Sequence, residues 1–423
     1  MPEHPTIAIP LDLPDVRVLR TTVTANREVI IAVESTLTTT TCRRCGQTID
    51  ATYGEDRPIR LRHLPILGAA VYVEIRPKRF RCPFCDDHPT TTQRLSWYEP
   101  KAPHTHAYER HLLLTLINST IADVCQKEDT LADAVLGVLD RWIATAIDWA
   151  LVPPFAVLGM DEIALKKGHR NDVVIVTAQR ANGELQLLAV LPDRTTATVR
   201  TWLASIPSAV RRQIRTVCTD MWTAYVTAVQ EVLPHVAIVI DRFHVATHYR
   251  DDVDTFRKQE LVRLRKELPK AQADWLKHTL WPFRKRAADL DPEEQDRLDR
   301  LLALSPQLEQ AYEFREQLTA IFDTTRSKAA GLRRISAWRQ QVSASGLTCF
   351  APFLKLLDTW LDLIANYFRH HQSSGFVEGL NNKIKVLKRR CFGLYNLRHL
   401  FQRITLDLEG YRRFRPQPAL TAH

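Results

Sequence analysis

The sequence contains no run of eighteen or more apolar residues, which excludes a helical membrane span. Its first residues, "MPEHPTIAIPLDLPD", lack a basic stretch followed by an apolar one, so no secretory signal is legible. No single tail concentrates Lys and Arg; these residues are spread over most of the chain. Eight cysteines without a signal argue for reduced thiols or metal ligands rather than disulfides. These absences predict a cytoplasmic protein with no membrane partner.

What remains is a folded chain of 423 residues, enough for two to four domains. Forty-five per cent of the residues are hydrophobic and a quarter are charged. The formal charge is +10 and the pI about 9.3. An extended polyanion is the natural partner of such a surface, through counterion release. A merely soluble basic protein would carry the same charge.

Four cysteines form two pairs, Cys42 and Cys45 in "CRRC" and Cys82 and Cys85 in "CPFC". Each pair can place two sulfurs on one tight knuckle, and four thiolates complete a tetrahedral zinc site. The stretch "VYVEIRPKRFRC" between them reads as strand, which predicts a zinc ribbon whose metal holds a sheet too small for its own core. Cys125, Cys218, Cys349 and Cys391 show no pairing and are expected to be buried small hydrophobes.

Residues 104–150 turn helical. Two short helices are predicted to meet near Glu128–Thr130, with Asp129 or Thr130 capping the second. Ile121, Val124, Leu131, Val135, Val138 and Leu139 have the spacing of a helix-turn-helix core, a spacing that two packed helices without a DNA role would share. Pro153 and Pro154 end the helical stretch.

The next segment reads strand, strand, strand, helix, strand, helix, strand. "FAVLGMDE", "DVVIVTAQ" and "ELQLLAVLP" come first, with Asn182-Gly183 as a hairpin signal. "IRTVCTD" and "VAIVIDRFH" are the later strands. Three meandering strands followed by alternating units is the order of a ribonuclease H-like mixed sheet. In that order the first and fourth strands are neighbours, so Asp161 and Asp220 face one pocket. Two carboxylates so close call for a cation, and magnesium suits oxygen ligands. Two such ions can hold a phosphodiester from both sides. A third carboxylate is then expected.

"SSGFVEGLNNKIKVLKRRCFGLYNL" supplies a candidate. Read as a helix, it buries Leu380, Ile384, Leu387, Cys391 and Leu394 on one face. Glu378, Asn382, Lys385 and Arg389 share the other, a carboxylate in line with an amide and two cations. An ordinary solvated helix would show the same stripe.

Taken together, the double C-x-x-C pattern, "LGMDEIALKKGH", "CTDMWTAY", "VIDRFHV" and "SGFVEGLNNKIKVLKRRCFG" resemble the DDE transposases of bacterial insertion sequences, in particular the ISL3 family. The match runs in family order from Cys42 to about Arg403. It implies that Asp161, Asp220 and Glu378 are the catalytic, magnesium-holding carboxylates. It also matches Asp241 and His244 to a supporting Asp-x-x-His element, and it brings a structural zinc at Cys42, Cys45, Cys82 and Cys85. The implied α/β multidomain architecture is a zinc ribbon domain over 1–100 and a helix-turn-helix over 101–153. A ribonuclease H-like catalytic domain over 154–249 and 371–415 follows, interrupted by an α-helical insertion over 250–370. The long separation of Asp220 and Glu378 and the Lys, Arg, Glu and Leu periodicity of "DTFRKQELVRLRKEL" point to the same insertion. Trp275, Trp281, Trp338 and Trp360 are expected to pack among its helices. Asp241 is the alternative second ligand, should Asp220 not serve. Lys166, Lys167 and His169 follow the first strand, where the lysines could touch phosphates or simply be solvated.

The expected activity is binding of terminal inverted repeats, metal-dependent cleavage and strand transfer to target DNA by in-line displacement. Asn382, Lys385 and Arg389 would touch DNA, and at least a dimer would assemble on it, at the nucleoid. The alternatives are a catalytically silent, transposase-derived DNA-binding regulator and a structure-selective nuclease or resolvase.

Overall fold

The computed structural model of the protein describes residues 9–165, 172–370, 375–391 and 396–415, without the side chains of 271–272, 370 and 375–378. Lys166, Lys167, His169 and Leu394 lie outside the described residues. The chain divides into two compact units, Met1–Ile143 with Leu406–His423, and Ala144–Thr405.

The first unit opens with nine strands: β1 (Val16–Val23), β2 (Val29–Ser35), β3 (Thr40–Thr41), β4 (Thr48–Ile49), β5 (Thr52–Glu55), β6 (Ile59–Ile66), β7 (Ala69–Ile75), β8 (Lys78–Arg81) and β9 (Thr90–Thr92). They form a four-stranded sheet in the order β1-β2-β7-β6, a β3-β4 pair and a β5-β8-β9 sheet. The four-stranded sheet corrects the sequence reading. "VYVEI" does not belong to a small metal-held sheet; only "KRFR" of β8 does. The cause is alternation: Val71, Val73 and Ile75 bury one face of β7 against Ile31, Val33, Leu61 and Trp97. This sheet therefore has its own core, whereas the knuckle region clusters only Ile49 and Phe80 with Cys42, Cys82 and Cys85.

Three helices follow, α1 (His106–Leu116), α2 (Ile121–Glu128) and α3 (Ala132–Trp142). Thr120 and Asp123 close a capping box at the start of α2. Val124, Val135, Val138 and Leu139 pack with Leu112, Leu113 and Leu116 of α1, and with Leu406 and Phe414 from the end of the chain. Two expectations fail here. Leu131 is 78% exposed, because it is the N-cap residue of α3 and stands outside the buried stripe. Neither Asp129 nor Thr130 caps α3; Asp129 instead ends α2 in the left-handed conformation.

The second unit contains a mixed sheet. β10 (Val157–Ala164), β11 (Asp172–Gln179) and β12 (Leu185–Leu191) form an antiparallel meander. The Asn182-Gly183 turn joins β11 to β12, with Gly183 at positive φ. The chain continues through α4 (Thr196–Ser205), the short α5 (Ser208–Arg211), β13 (Thr216–Thr219), α6 (Thr223–Val232) and β14 (Ala237–Ile240). The sheet order is β12-β11-β10-β13-β14. β13 runs parallel to β10, and β14 parallel to β13. Both faces are apolar: Leu158, Val174, Val176 and Val217 pack with Val199 of α4 and Val229 of α6 on one side, and Val157, Cys218 and Val239 belong to a second cluster on the other.

"IVIDRFH" is not strand throughout. β14 stops at Ile240, and the Asp241 side chain accepts a hydrogen bond from the Phe243 N–H, opening α7 (Arg242–Glu267). A helical block follows: α8 (Lys270–Trp275), α9 (Leu280–Arg284), α10 (Pro292–Ala303), α11 (Pro306–Thr324), α12 (Lys328–Ala344), α13 (Ala351–Ile364) and α14 (Tyr367–His370). Trp338 is its centre. Its indole N–H donates to the Phe314 carbonyl at 2.9 Å, and its ring meets those of Phe350 and Phe353 edge-on. Trp275 and Trp360 pack at the margin of this core. Trp281, expected among the packed residues, is 66% exposed. The last helices are α15 (Gly375–Arg390) and α16 (Leu397–Phe414), the latter running from the second unit into the first. Of the four unpaired cysteines only Cys218 is buried; Cys125, Cys349 and Cys391 are half-buried.

Candidate active site

The site begins with strand register. Val157, Leu158 and Gly159 of β10 pair with Thr216, Val217 and Cys218 of β13. Two residues further along each strand stand Asp161 and Asp220, at one level across adjacent parallel strands. The β13–β14 pairing of Thr219 with Ile240 continues the row to Asp241. Three aspartates therefore form one row across three neighbouring strands: Asp220 and Asp241 directly follow β13 and β14, and Asp161 lies within β10 just past its pairing with β13. In open α/β sheets the carboxyl-terminal edge of the strands is where ligands bind.

Each aspartate has a different environment. Asp161 accepts the Glu162 backbone N–H at 2.7 Å on one oxygen and the Asn381 amide at 2.5 Å on the other. Asp241 is buried and spends one oxygen on capping α7. Asp220 Oδ1 is buried and has no hydrogen-bond partner among the described residues. Burial, then the negative charges of Glu162 and Asp161, push the Asp220 carboxyl up to about 7, against the pull of His244 and Arg194. A buried, under-coordinated oxygen beside further carboxylates fits a hard cation.

His244 lies in the first turn of α7. Its Nε2 stands 3.8 Å from Asp161 and 3.9 Å from Asp241, ion-pair rather than hydrogen-bond distances. The Asp161 carboxylate foremost raises the imidazole to about 9, so it is a cation at neutral pH. Its position on a helix start, three residues after the capping aspartate, follows from the D-x-x-H spacing. That it reaches Asp161 was not legible in the sequence.

The residues after Asp220 in "CTDMWTAY" build a wall around Glu162, a residue missed by the sequence reading. The Tyr225 hydroxyl donates to Glu162 Oε1 at 3.0 Å, and Arg194 donates to Oε2 at 2.6 Å. The Arg194 guanidinium stacks on the Trp222 ring at 4.1 Å, while the Trp222 indole donates to the Arg194 carbonyl at 3.2 Å. Burial raises the Glu162 carboxyl, and Tyr225 and Arg194 oppose that rise. The one available signal was adjacency: Glu162 directly follows Asp161.

α15 divides as its periodicity predicts. Leu380, Ile384 and Leu387 are buried, and Asn382, Lys385 and Arg389 are exposed. The contact with β10 is made by residues outside both stripes: buried Asn381 to Asp161, and Lys388 to the Ala164 carbonyl. They are seven residues apart, on one face of the helix. Glu378 belongs to α15, but its side chain lies outside the described residues.

In the first unit, the sulfurs of Cys42, Cys45, Cys82 and Cys85 lie within 4.8 Å of one another. Among the described residues they are the one such group of three or more metal-binding side chains. Hydrogen bonds from the knuckle backbone, at Cys45 and then Arg44, lower the Cys42 thiol to about 6. All-sulfur donors on two knuckles fit tetrahedral zinc. Among the described residues no helix is long and apolar enough to cross a membrane.

Comparison with known proteins gives two family matches and similar relatives. Residues 158–404 match the ISL3 transposase family model, and residues 38–85 match the zinc finger of the IS204/IS1001/IS1096/IS1165 transposases. The chain is 28% identical over 392 residues to the transposase for insertion sequence element IS1001 of Bordetella parapertussis, covering 92% of this chain and 93% of that one. It is 23% identical over 395 residues to the transposase for insertion sequence element IS1557 of Mycobacterium tuberculosis, covering 88% and 86%. With both a zinc ribbon and a strand-edge carboxylate row in place, the chain belongs to the ISL3 family of insertion-sequence transposases.

Proposed function

We propose that this transposase binds the terminal inverted repeats of its element, cleaves there and joins the freed 3′ end to target DNA, both steps being in-line displacements at phosphorus. The observation that carries this reading is the level placement of Asp161 and Asp220, with Asn381 of α15 on Asp161. The meander-then-alternating order of the sheet supports a ribonuclease H-like core. In this reading Asp161, Asp220 and Glu378 hold magnesium, two ions in the site. Bound there, the metal supplies charge stabilisation to the attacking and leaving oxygens of the phosphodiester.

The remaining roles fall to the chain's own groups. Asn381 fixes the Asp161 carboxylate and sets α15 against β10, and we assign the third carboxylate to Glu378, three residues earlier in the same helix. Asp241 fixes the start of α7, and the His244 cation balances the acidic row. Asn382, Lys385 and Arg389 give the exposed face of α15 to the DNA backbone. Lys and Arg outnumber acids here, ten against three between 375 and 415. The ribbon domain of 1–100 and the helix-turn-helix of 101–153 bind the repeats. The helical block of 250–370 interrupts the catalytic domain of 154–249 and 371–415. At least two copies bridge two ends in the cytoplasm, at the nucleoid.

The test is incubation of purified protein with magnesium and a duplex carrying its element's end, with nicks mapped on both strands. Wild type should cut at the element boundary and Asp220→Asn should not. Equal cutting by both overturns the site; binding without cutting by wild type favours the silent regulator.

A further inference from the structure

Among the described residues of the first unit, a cavity of about 280 Å³ opens between the four-stranded sheet and the α2–α3 turn. Its lining includes Arg60 and Arg62 of β6, Tyr72 of β7, His104, Tyr108 of α1 and Thr130 of the turn. None of these residues belongs to the carboxylate row or to the cysteine cluster.

The walls are fixed by the backbone. Arg62 N–H donates to the Pro103 carbonyl and Thr105 N–H to the Arg62 carbonyl, both at 2.9 Å, so His104 is strapped alongside β6. Thr105 then caps α1. The Arg60 guanidinium lies 3.8 Å over the Tyr72 ring, and Arg62 lies between the rings of Tyr72 and Tyr108 at 5.1 and 5.5 Å. An arginine stacked on aromatic faces keeps its edge directed and pre-organised for an acceptor.

The hydrogen bonding around the cavity is incomplete among the described residues. Arg62 donates through Nη1 to the Tyr72 hydroxyl at 3.0 Å, but its Nε is buried without a partner. His104 is 5% exposed and its Nδ1, donor or acceptor according to the tautomer, also has no partner among the described residues, with Glu109 no nearer than an ion-pair distance of 4.0 Å. Arg60 is held by Glu28 at 2.9 Å and keeps further N–H groups. Asp129 is the one acid on the lining. Guanidinium groups can only donate, so the missing partner is an acceptor, and two guanidiniums favour an anionic one.

We propose that this cavity takes one backbone phosphate of the end DNA, seated beside the helix-turn-helix so that the turn between α2 and α3 is held at a fixed height on the duplex. This rests on the end-binding reading above. Phosphate contacts of this kind set orientation and carry no base information. Inorganic phosphate offers the same oxygen acceptors, and the experiment separates the two sources.

The experiment measures binding of the full chain to its end duplex by fluorescence anisotropy across a salt series. Wild type is compared with Arg62→Gln, Arg60→Gln and Asp129→Asn. Removing one phosphate contact should weaken binding about ten-fold for R62Q and reduce the slope of log affinity against log salt by about 1. D129N should bind more tightly, since it removes the one acid of the lining while asparagine still tolerates the left-handed backbone there. A methylphosphonate at the contacted position should weaken wild type and leave R62Q unchanged. Zinc content and melting temperature report whether R62Q is folded; if it is not, R60Q, altered at an exposed side chain, carries the same slope test. Wild-type affinity and slope in the folded arginine variants overturn the proposal. So does protection of wild type from melting by millimolar inorganic phosphate with an unchanged DNA slope in those variants, which marks a small-anion site. Failure of wild type to bind the end duplex overturns the end-binding reading instead, and phosphate protection alone then decides whether the cavity takes anions.

Discussion

Asp161 and Asp220 stand at one level on adjacent parallel strands, and only the first has both oxygens hydrogen-bonded. The asymmetry has consequences for stability as well as chemistry. Asp161 is anchored before any ligand arrives. Asp220 keeps a buried oxygen with no partner among the described residues, an arrangement that costs stability until something positive binds.

Asp220→Asn should therefore abolish cleavage while stabilising the zinc-loaded protein without added magnesium. The folded carboxyl sits near 7, above the unfolded value of about 3.9. Ionisation is thus disfavoured in the folded state, and this group removes stability as pH rises between those values. Thermal melts should show D220N a few degrees above wild type at pH 8 and level with it at pH 4. Equal melting temperatures at pH 8 would falsify the burial argument.

Asn381 and Asn382 are neighbours with opposite expected phenotypes. Asn381→Ala removes the amide from Asp161 and should slow end cleavage about 10- to 100-fold with little change in DNA affinity. Asn382→Ala, at an exposed position, should alter affinity before rate. Cleavage and anisotropy measured on both variants check the split, and the reverse pattern would reassign the two faces of α15.

Tyr225→Phe deletes the phenol that donates to Glu162. A hydrogen bond to a charged group is worth about 1.5–3 kcal/mol, so a loss of about 1–2 kcal/mol is expected in denaturant unfolding. Glu162→Gln combined with Tyr225→Phe should cost less than the sum of the single changes. Strict additivity in that cycle would show that the two side chains do not interact.

Cys82→Ser should remove zinc and unfold the knuckle region while leaving the four-stranded sheet in place. Cys82 is fully buried, with its sulfur 3.6 Å from those of both Cys45 and Cys85. The knuckles have only Ile49 and Phe80 as other core residues, whereas the four-stranded sheet has its own cluster. Metal analysis should fall from one zinc per chain to none, and hydrogen exchange should rise around 40–55 and 78–92 but not across 29–35 and 69–75. Uniform loss of protection would make the metal essential to the whole sheet.

Lys385→Glu and Arg389→Glu reverse charge on the exposed face of α15. Each should weaken end binding and flatten its salt dependence by about one phosphate contact. Unchanged slopes would take this face off the DNA path.

Much of this was legible locally. The succession of strands and helices over 155–240, the paired cysteines and the apolar Leu380, Ile384 and Leu387 of α15 follow from residue periodicity and spacing, because each depends on neighbours within one element. Where the reading failed, a partner distant in the chain decided the outcome. "VYVEI" joins the four-stranded sheet because Ile31, Val33 and Trp97 cover it. Leu131 is exposed because the α2–α3 turn leaves it outside the stripe that α1 covers. Asp241 starts a helix rather than ending a strand because its side chain is spent on a cap.

The sequence alone determined which chemistry-bearing groups are present and on which elements they ride: four thiols on two knuckles, acids near strand ends, amides and cations on one helix. Tertiary structure decided which of them meet. Register between parallel strands set Asp161 level with Asp220, and helix docking chose Asn381 over Asn382 as the contact to Asp161. It also gave Glu162 its partners Tyr225 and Arg194. Such pairings arise from the packing of elements far apart in the chain, to which no periodicity within one element is sensitive.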